Sequence, residues 1–113
     1  MTGTDIEARA REILKDKDEG DQTWTPDAMA RWINDGVKAV CAIRGDALLD
    51  SNGLITVTEL SAITGTISIA NKWRSPLAWF VVWQCFASDA GDKRDAGRAA
   101  DAKQTFLDLV RMA

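Results

Sequence analysis

The sequence predicts a mainly α-helical fold: a four-helix bundle-like domain with a short β-hairpin inserted between the second and third helices. Two segments place a hydroxyl residue directly before proline, the pattern of a helix start: Thr25-Pro26 and Ser75-Pro76. Apolar residues recur at every third or fourth position through most of the chain. The region of about residues 54–70 instead alternates and is rich in β-branched residues. At 113 residues, the chain 1–113 is expected to form a single domain.

The first two helices are predicted from their starts. Thr4 and Glu7 are spaced as a capping box, so a helix is expected from there to about Lys17. The second helix is expected to be capped by Thr25 and to run to about Arg44. Gly36 lies in the middle of that helix, where glycine is unfavourable, which predicts a close crossing with another helix.

The hairpin is predicted from two alternating segments, Leu54–Thr58 and Thr66–Ile69. A two-stranded hairpin is marginal by itself, so it is expected to lean on a helix or on a neighbouring subunit.

The last two helices differ in character. The third, Leu77 to Ser88, is apolar on nearly every face, which predicts burial on all sides, with a partner helping to cover it. The fourth is expected to begin at about Asp92 or Asp95 and to end at Arg111, with small residues that permit close helix packing.

Composition bounds the chemistry. The chain has no histidine, so Ser-His-Asp and Cys-His nucleophile systems are excluded, and we expect no enzymatic activity and no cofactor. The net charge is −3 without a basic stripe, which disfavours direct DNA binding.

Cys41 and Cys85 lack metal-site spacing and are interpreted as buried thiols. No signal peptide is apparent at the N-terminus, and the apolar run 77–87 is too short to span a bilayer.

One local match suggests calcium. Asp50, Asn52 and Glu59 fall on ligand positions of an EF-hand loop when Gly53 is aligned with the turn glycine. The first ligand position is Leu48, which has no side-chain oxygen. The preferred interpretation is a turn at Asn52-Gly53 that leads into a strand, with no metal site.

Two segments resemble a known family, the small head–tail connector or adaptor (head completion) proteins of tailed bacteriophages. The segment 24–40 contains Trp32-Ile33-Asn34-Asp35-Gly36, which is similar to the family's opening helix. The segment 77–107 contains Ala87-Ser88-Asp89-Ala90, then Arg98-Ala99-Ala100 and Phe106, and is similar to its closing pattern. The β-rich middle region is shorter here than in that family.

The resemblance implies a structural virion protein at the head–tail junction, made in the host cytoplasm. Such proteins form rings, usually dodecameric, beneath the portal protein. The ring extends the DNA channel, whose lumen passes DNA without sequence-specific binding, and it provides the platform for a downstream tail or nozzle protein. No membrane is involved. The acidic net charge and the five tryptophans of this chain agree with that expectation.

Contact residues are hypotheses within that resemblance. Contacts with a neighbouring subunit or the tail are expected from Trp73 and from the hairpin residues Ile55, Val57, Ile67 and Ile69. Trp79 and Trp83 are further candidates for these contacts and are expected to lie at the core and its edge. Portal contacts are expected from the C-terminal end, namely Phe106, Leu109, Arg111 and Met112.

Three other functions remain open at the level of the sequence, the third being the degenerate EF-hand described above, which a calcium titration would test. Helices followed by a hairpin are typical of a winged-helix layout, so the chain could be a small phage-encoded DNA-binding regulator, with the Lys93, Arg94 and Arg98 cluster meeting the backbone. It could also be a helical protein-interaction subunit of the antitoxin type. A basic recognition helix would distinguish the first, and an oligomer measurement the second.

Overall fold

The computed structural model describes residues 1–14, 24–88 and 93–113, with the side chains of 93–95 excepted. In these residues the fold is mainly helical, with four α-helices and one small antiparallel hairpin between the second and third, as the sequence predicts. The helices are α1 Gly3–Leu14, α2 Pro26–Ile43, α3 Arg74–Ser88 and α4 Lys93–Met112; short 3-10 turns span Gly45–Leu48 and Asn71–Trp73; the strands are β1 Leu49–Asp50 and β2 Gly53–Leu54.

Helix α3 is the centre of the fold, because it packs against α1, α2 and α4. Its apolar residues are therefore covered mainly by the chain itself; those that are buried include Leu77, Ala78, Phe80, Val81, Val82 and Cys85. The expectation that this helix is buried on most sides is confirmed for its own chain. Within the described residues, no helix combines the length and the apolar character needed to cross a membrane.

Contacts at the helix ends fix the chain directions. The indole Nε1 of Trp24, just before α2, donates to the hydroxyl of Ser88 at the end of α3, at 3.2 Å. The guanidinium of Arg44, just after α2, donates to the carbonyl of Val110 near the end of α4, at 2.9 Å. Helix α2 is thus antiparallel to α3, and the ends of α2 and α4 meet. We call this end of the molecule, which also carries the hairpin and the start of α3, the hairpin end.

Helix α1 begins two residues earlier than predicted. The capping box is formed by Thr2 and Asp5: the backbone N–H of Thr2 donates to the Asp5 carboxylate at 2.9 Å, and the N–H of Asp5 donates to the Thr2 hydroxyl at 3.3 Å. The predicted box at Thr4 is wrong, because the Thr4 hydroxyl donates to the carbonyl of Ile63 instead, at 3.4 Å. The predicted end at Lys17 lies outside the described residues.

Helix α2 agrees with its prediction. The hydroxyl of Thr25 accepts the N–H of Ala28 at 3.1 Å, so Thr25 is the cap. A Cβ placed on Gly36 would lie 2.9 Å from Cδ1 of Phe80 and 3.2 Å from Cδ2 of Leu77. The predicted close crossing is therefore confirmed, and α3 is the helix that crosses there.

The hairpin forms from other residues than predicted. Leu49 pairs with Leu54 and Asp50 with Gly53, and Gly53 has a φ of +107°, which glycine adopts without strain. The predicted pairing of 54–58 with 66–69 is wrong. The N–H of Ile67 donates to the carbonyl of Met1, and Thr66 forms an isolated bridge with Thr2, so the N-terminus occupies the edge that the prediction gave to residues 54–58.

Candidate interaction surface

Three of the expected contact residues lie in the core of their own chain. Trp73 is 1% exposed, so its ring offers no face to a neighbouring subunit. Ile67 and Ile69 are buried as well, because the extended segment that carries them packs onto the helices beneath the N-terminus. The expectation that these side chains contact a neighbour or the tail is corrected accordingly.

The other expected contacts lie nearer the surface. Ile55 is half-buried and Val57 is exposed. Trp79 and Trp83 are both half-buried. The ring of Trp83 meets Phe80 edge to face at 5.2 Å, and the ammonium of Lys103 lies 5.4 Å from its centroid. This pair therefore lies at the boundary between the core and solvent.

The expected portal set divides in two. Phe106 is fully buried against Phe80, at 5.2 Å between ring centroids, so it is a core residue and not a contact residue. Leu109 is half-buried, Arg111 is exposed, and Met112 is 81% exposed. The end of α4 thus keeps a surface, but a smaller one than the sequence indicated.

Exposed apolar side chains gather at the hairpin end. Leu49 and Leu54 are cross-strand partners and are 54% and 79% exposed. Ile43 closes α2 just before the turn that leads to β1, and Met112 lies among the last residues of α4, beside the carbonyl of Val110 that Arg44 binds. Single exposed apolar residues are ordinary, whereas four of them from α2, the hairpin and α4 at one end make that end a candidate association surface.

Arg44 holds this end together. Its guanidinium donates to both carboxylate oxygens of Asp46 at 2.9 Å and to the carbonyls of Val110 and Ala113, and it lies 5.6 Å from the ring centroid of Trp73. The hydrogen bonds from Arg44 lower the pKa of Asp46. One side chain therefore joins the ends of α2 and α4 and the start of α3.

Asn34 is a positioning residue that the sequence did not reveal. Its side-chain carbonyl accepts the N–H of Leu60 at 2.8 Å, and its amide donates to the carbonyl of Leu60 at 3.1 Å. The side chain thus bonds to Leu60 as a neighbouring strand would. Asn34 lies in the Trp-Ile-Asn-Asp motif, which was the available signal, but its partner is 26 residues away.

A groove lies between α2 and the turn that follows Leu60. It is open, has a volume of about 490 Å³ and is lined by Asp27, Ala30, Arg31, Leu60 and Ser61. We call it the α2 groove. In the part of the chain that the structure describes, neither Arg31 in this groove nor Asp50 on the hairpin takes part in a salt bridge.

The calcium-like loop is a hairpin turn. A carboxylate oxygen of Asp50 accepts the N–H of Asn52 at 2.7 Å, which closes the turn locally. Leu48, at the first ligand position, is half-buried. Across residues 1–14, 24–88 and 96–113, no group of three or more Asp, Glu, Cys or His side chains is arranged to hold a metal ion.

Comparison of the chain with protein-family models, with curated proteins and with solved structures finds no match. What this surface can do is therefore inferred from its own geometry.

Proposed function

We propose that this chain is a structural protein of a tailed-phage virion, a head–tail connector or adaptor that forms a ring, usually dodecameric in such proteins, below the portal. The observation that carries the proposal is the group of exposed apolar side chains at the hairpin end, contributed by Ile43, Leu49, Leu54 and Met112. They come from the ends of α2 and α4, which Arg44 joins, and from the hairpin, which follows Asp46, another partner of Arg44.

The resemblance of segments 24–40 and 77–107 to connector proteins supports the same proposal. Those segments form α2, α3 and most of α4, which pack on one another. In this proposal the domain is a four-helix bundle in which α3 is the central helix and the hairpin is an appendage used in assembly.

We assign the C-terminal end of α4 to the portal. Leu109, Arg111 and Met112 remain accessible there, while Phe106 supports them from the core. The downstream tail or nozzle protein would bind the completed ring. DNA would pass through the lumen without sequence-specific contacts, and the protein would be made in the host cytoplasm before it joins the virion.

The test is the mass of the purified protein, measured by light scattering alone and with portal rings encoded by the same genome. We expect it to join the portal as a stoichiometric ring. Met112→Asp should weaken portal binding at least tenfold, because it places a charge in an apolar contact. Ala100→Asp, on an exposed position of the same helix, should bind as the wild type does.

The alternatives predict different results in that experiment. A chain that ignores the portal and shifts duplex DNA at moderate salt would be a DNA-binding regulator. A chain that ignores both and forms a small stable oligomer would be a helical protein-interaction subunit. Either result would overturn the connector proposal.

A further inference from the structure

We propose that neighbouring copies of this chain join head to tail, with the hairpin of one copy seated in the α2 groove of the next. The inference deepens the proposed ring function and rests on it. It names the two surfaces that would make the subunit contact, and it makes the second copy of this chain the occupant of the groove.

The hairpin has the properties of an inserted element. All six residues from Leu49 to Leu54 are exposed, and Leu54 is the most exposed of its apolar side chains at 79%. Two hydrogen bonds nevertheless fix its shape. The N–H of Asn52 donates to the Asp50 carboxylate, and the N–H of Ile55 donates to the carbonyl of Leu48 at 2.8 Å. A preorganised apolar projection loses little conformational freedom when it binds.

The groove offers a matching receptor. Ala30, which is buried, and Leu60, which is half-buried, give the groove an apolar part, and the rest of its lining is polar, as is the hairpin tip Asp50–Asn52. Its wall is held in place, because Asn34 bonds both backbone groups of Leu60. The volume of about 490 Å³ lies in the range of ligand-binding clefts, which is enough to receive a few side chains.

The charges are complementary. The groove presents the guanidinium of Arg31 and the hairpin presents the carboxylate of Asp50, and within the described residues neither of them has a salt-bridge partner in its own chain. The groove also presents Asp27, which can accept from the hydroxyl of Ser51 and the amide of Asn52 at the hairpin tip.

A second copy is required, because the hairpin cannot reach the groove of its own chain. Arg31 and Ile43 are twelve residues apart on α2, which separates them by about 18 Å along the helix axis. The hairpin follows the far end of α2. Two different surfaces at separate places on one subunit give a heterologous contact, which generates a ring when the rotation between neighbouring copies closes.

The test mixes two defective variants. Leu54→Asp damages the hairpin and leaves the groove intact, whereas Arg31→Glu damages the groove and leaves the hairpin intact. Each variant alone should sediment as a monomer at concentrations at which the wild type assembles. An equimolar mixture should give a one-to-one dimer, because one intact hairpin and one intact groove remain. Circular dichroism should show native helix content in both, since both side chains are exposed.

Two further variants sharpen the result. Asp50→Asn, which keeps an oxygen that can accept the N–H of Asn52 but removes the charge, should weaken assembly at least tenfold. Met112→Asp, also at the hairpin end, should assemble as the wild type does. If the wild type assembles only on the portal, copies bound per portal are counted instead, and the same order is expected among the hairpin and groove variants. Ala100→Asp then replaces Met112→Asp as the control, because a charge at residue 112 is expected to weaken portal binding itself.

The outcomes separate this inference from the proposed function. A wild type that forms rings while Leu54→Asp does the same would overturn the hairpin–groove contact and leave the connector proposal standing. Mixed variants that stay monomeric beside an assembling wild type would also overturn it. A wild type that remains monomeric with and without the portal would overturn both.

Discussion

At the scale of single residues, the side chains that organise this molecule are polar groups that touch backbone. Asn34 bonds Leu60, Arg44 bonds the last carbonyls of α4, and Thr2 and Asp5 cap α1. Each of them satisfies backbone groups that would otherwise lack partners, and unsatisfied buried groups are costly. The loops between the helices are therefore positioned by hydrogen bonds as well as by apolar packing.

Asn34 gives the residue-scale prediction. Asn34→Ala removes both hydrogen bonds to Leu60 and leaves part-buried backbone groups unpaired. We expect the free energy of unfolding to fall by about 1–3 kcal/mol, measured by urea denaturation. The control is Gln104→Ala, which removes an exposed hydrogen bond to Asp108 and should change stability by less than about 0.5 kcal/mol. Equal effects of the two substitutions would show that the Leu60 contact is not stabilising.

At the scale of elements, the crossing of α2 over α3 is limited by space. Gly36 faces Phe80 and Leu77, and Phe80 is itself held between Trp83 and Phe106 by edge-to-face contacts, each at 5.2 Å between centroids. The ring of Phe80 cannot move aside without disturbing both neighbours. The two helices therefore approach closely at the one position where α2 lacks a side chain.

Two glycines in helices make a matched comparison. Gly36→Ala gains about 1 kcal/mol in helix propensity but forces an overpacked contact that costs about 1–3 kcal/mol, so we expect a net loss of up to about 2 kcal/mol. Gly97→Ala in α4 meets nothing within 4 Å, so it should stabilise by about 0.5–1 kcal/mol. Thermal or urea unfolding measures both. A Gly36→Ala variant that is more stable than the wild type would show that a Cβ fits between α2 and α3 without overpacking.

At the scale of the whole molecule, the hairpin end and the α2 groove lie apart along α2, so the molecule has two dissimilar surfaces. Its principal extents of 44, 27 and 18 Å describe an elongated shape that keeps them separate. The core itself is built by the chain alone, with α3 at its centre. Under the proposed head-to-tail contact, folding and association would depend mainly on different residues, and substitutions of exposed residues would perturb association alone.

That separation predicts a concentration-dependent melting temperature. Association stabilises only the folded state, so above the dissociation constant each tenfold rise in protein concentration should add about 1.4 kcal/mol, or roughly 5 °C for a domain of this size. Leu54→Asp should melt at one temperature across the same concentrations. A wild-type melting temperature that does not change with concentration would contradict self-association.

The sequence predicted what depends on local pattern. The Thr25 cap, the close crossing at Gly36 and the buried character of α3 follow from residue order within one helix, and all three are confirmed. The pairing of residues 54–58 with 66–69 failed because the N-terminus competes for residues 66–67. Trp73 was expected to contact a neighbouring subunit or the tail, because nothing near it in the sequence shows that Arg44 lies over its ring, 5.6 Å from the centroid. Long-range partners decided each of these failures.

The contacts of Arg44 constrain which combinations of substitutions the hairpin end tolerates. One guanidinium serves Asp46, Trp73 and the carbonyls of α4 together, so residues that share it are energetically coupled and their substitutions are not additive. The effect of a substitution at residue 46 or 73 on the free energy of unfolding therefore depends on whether Arg44 is present. We therefore expect substitutions in this corner to be tolerated mainly in combination, whereas Gly97, where an added Cβ meets nothing within 4 Å, should accept a substitution alone.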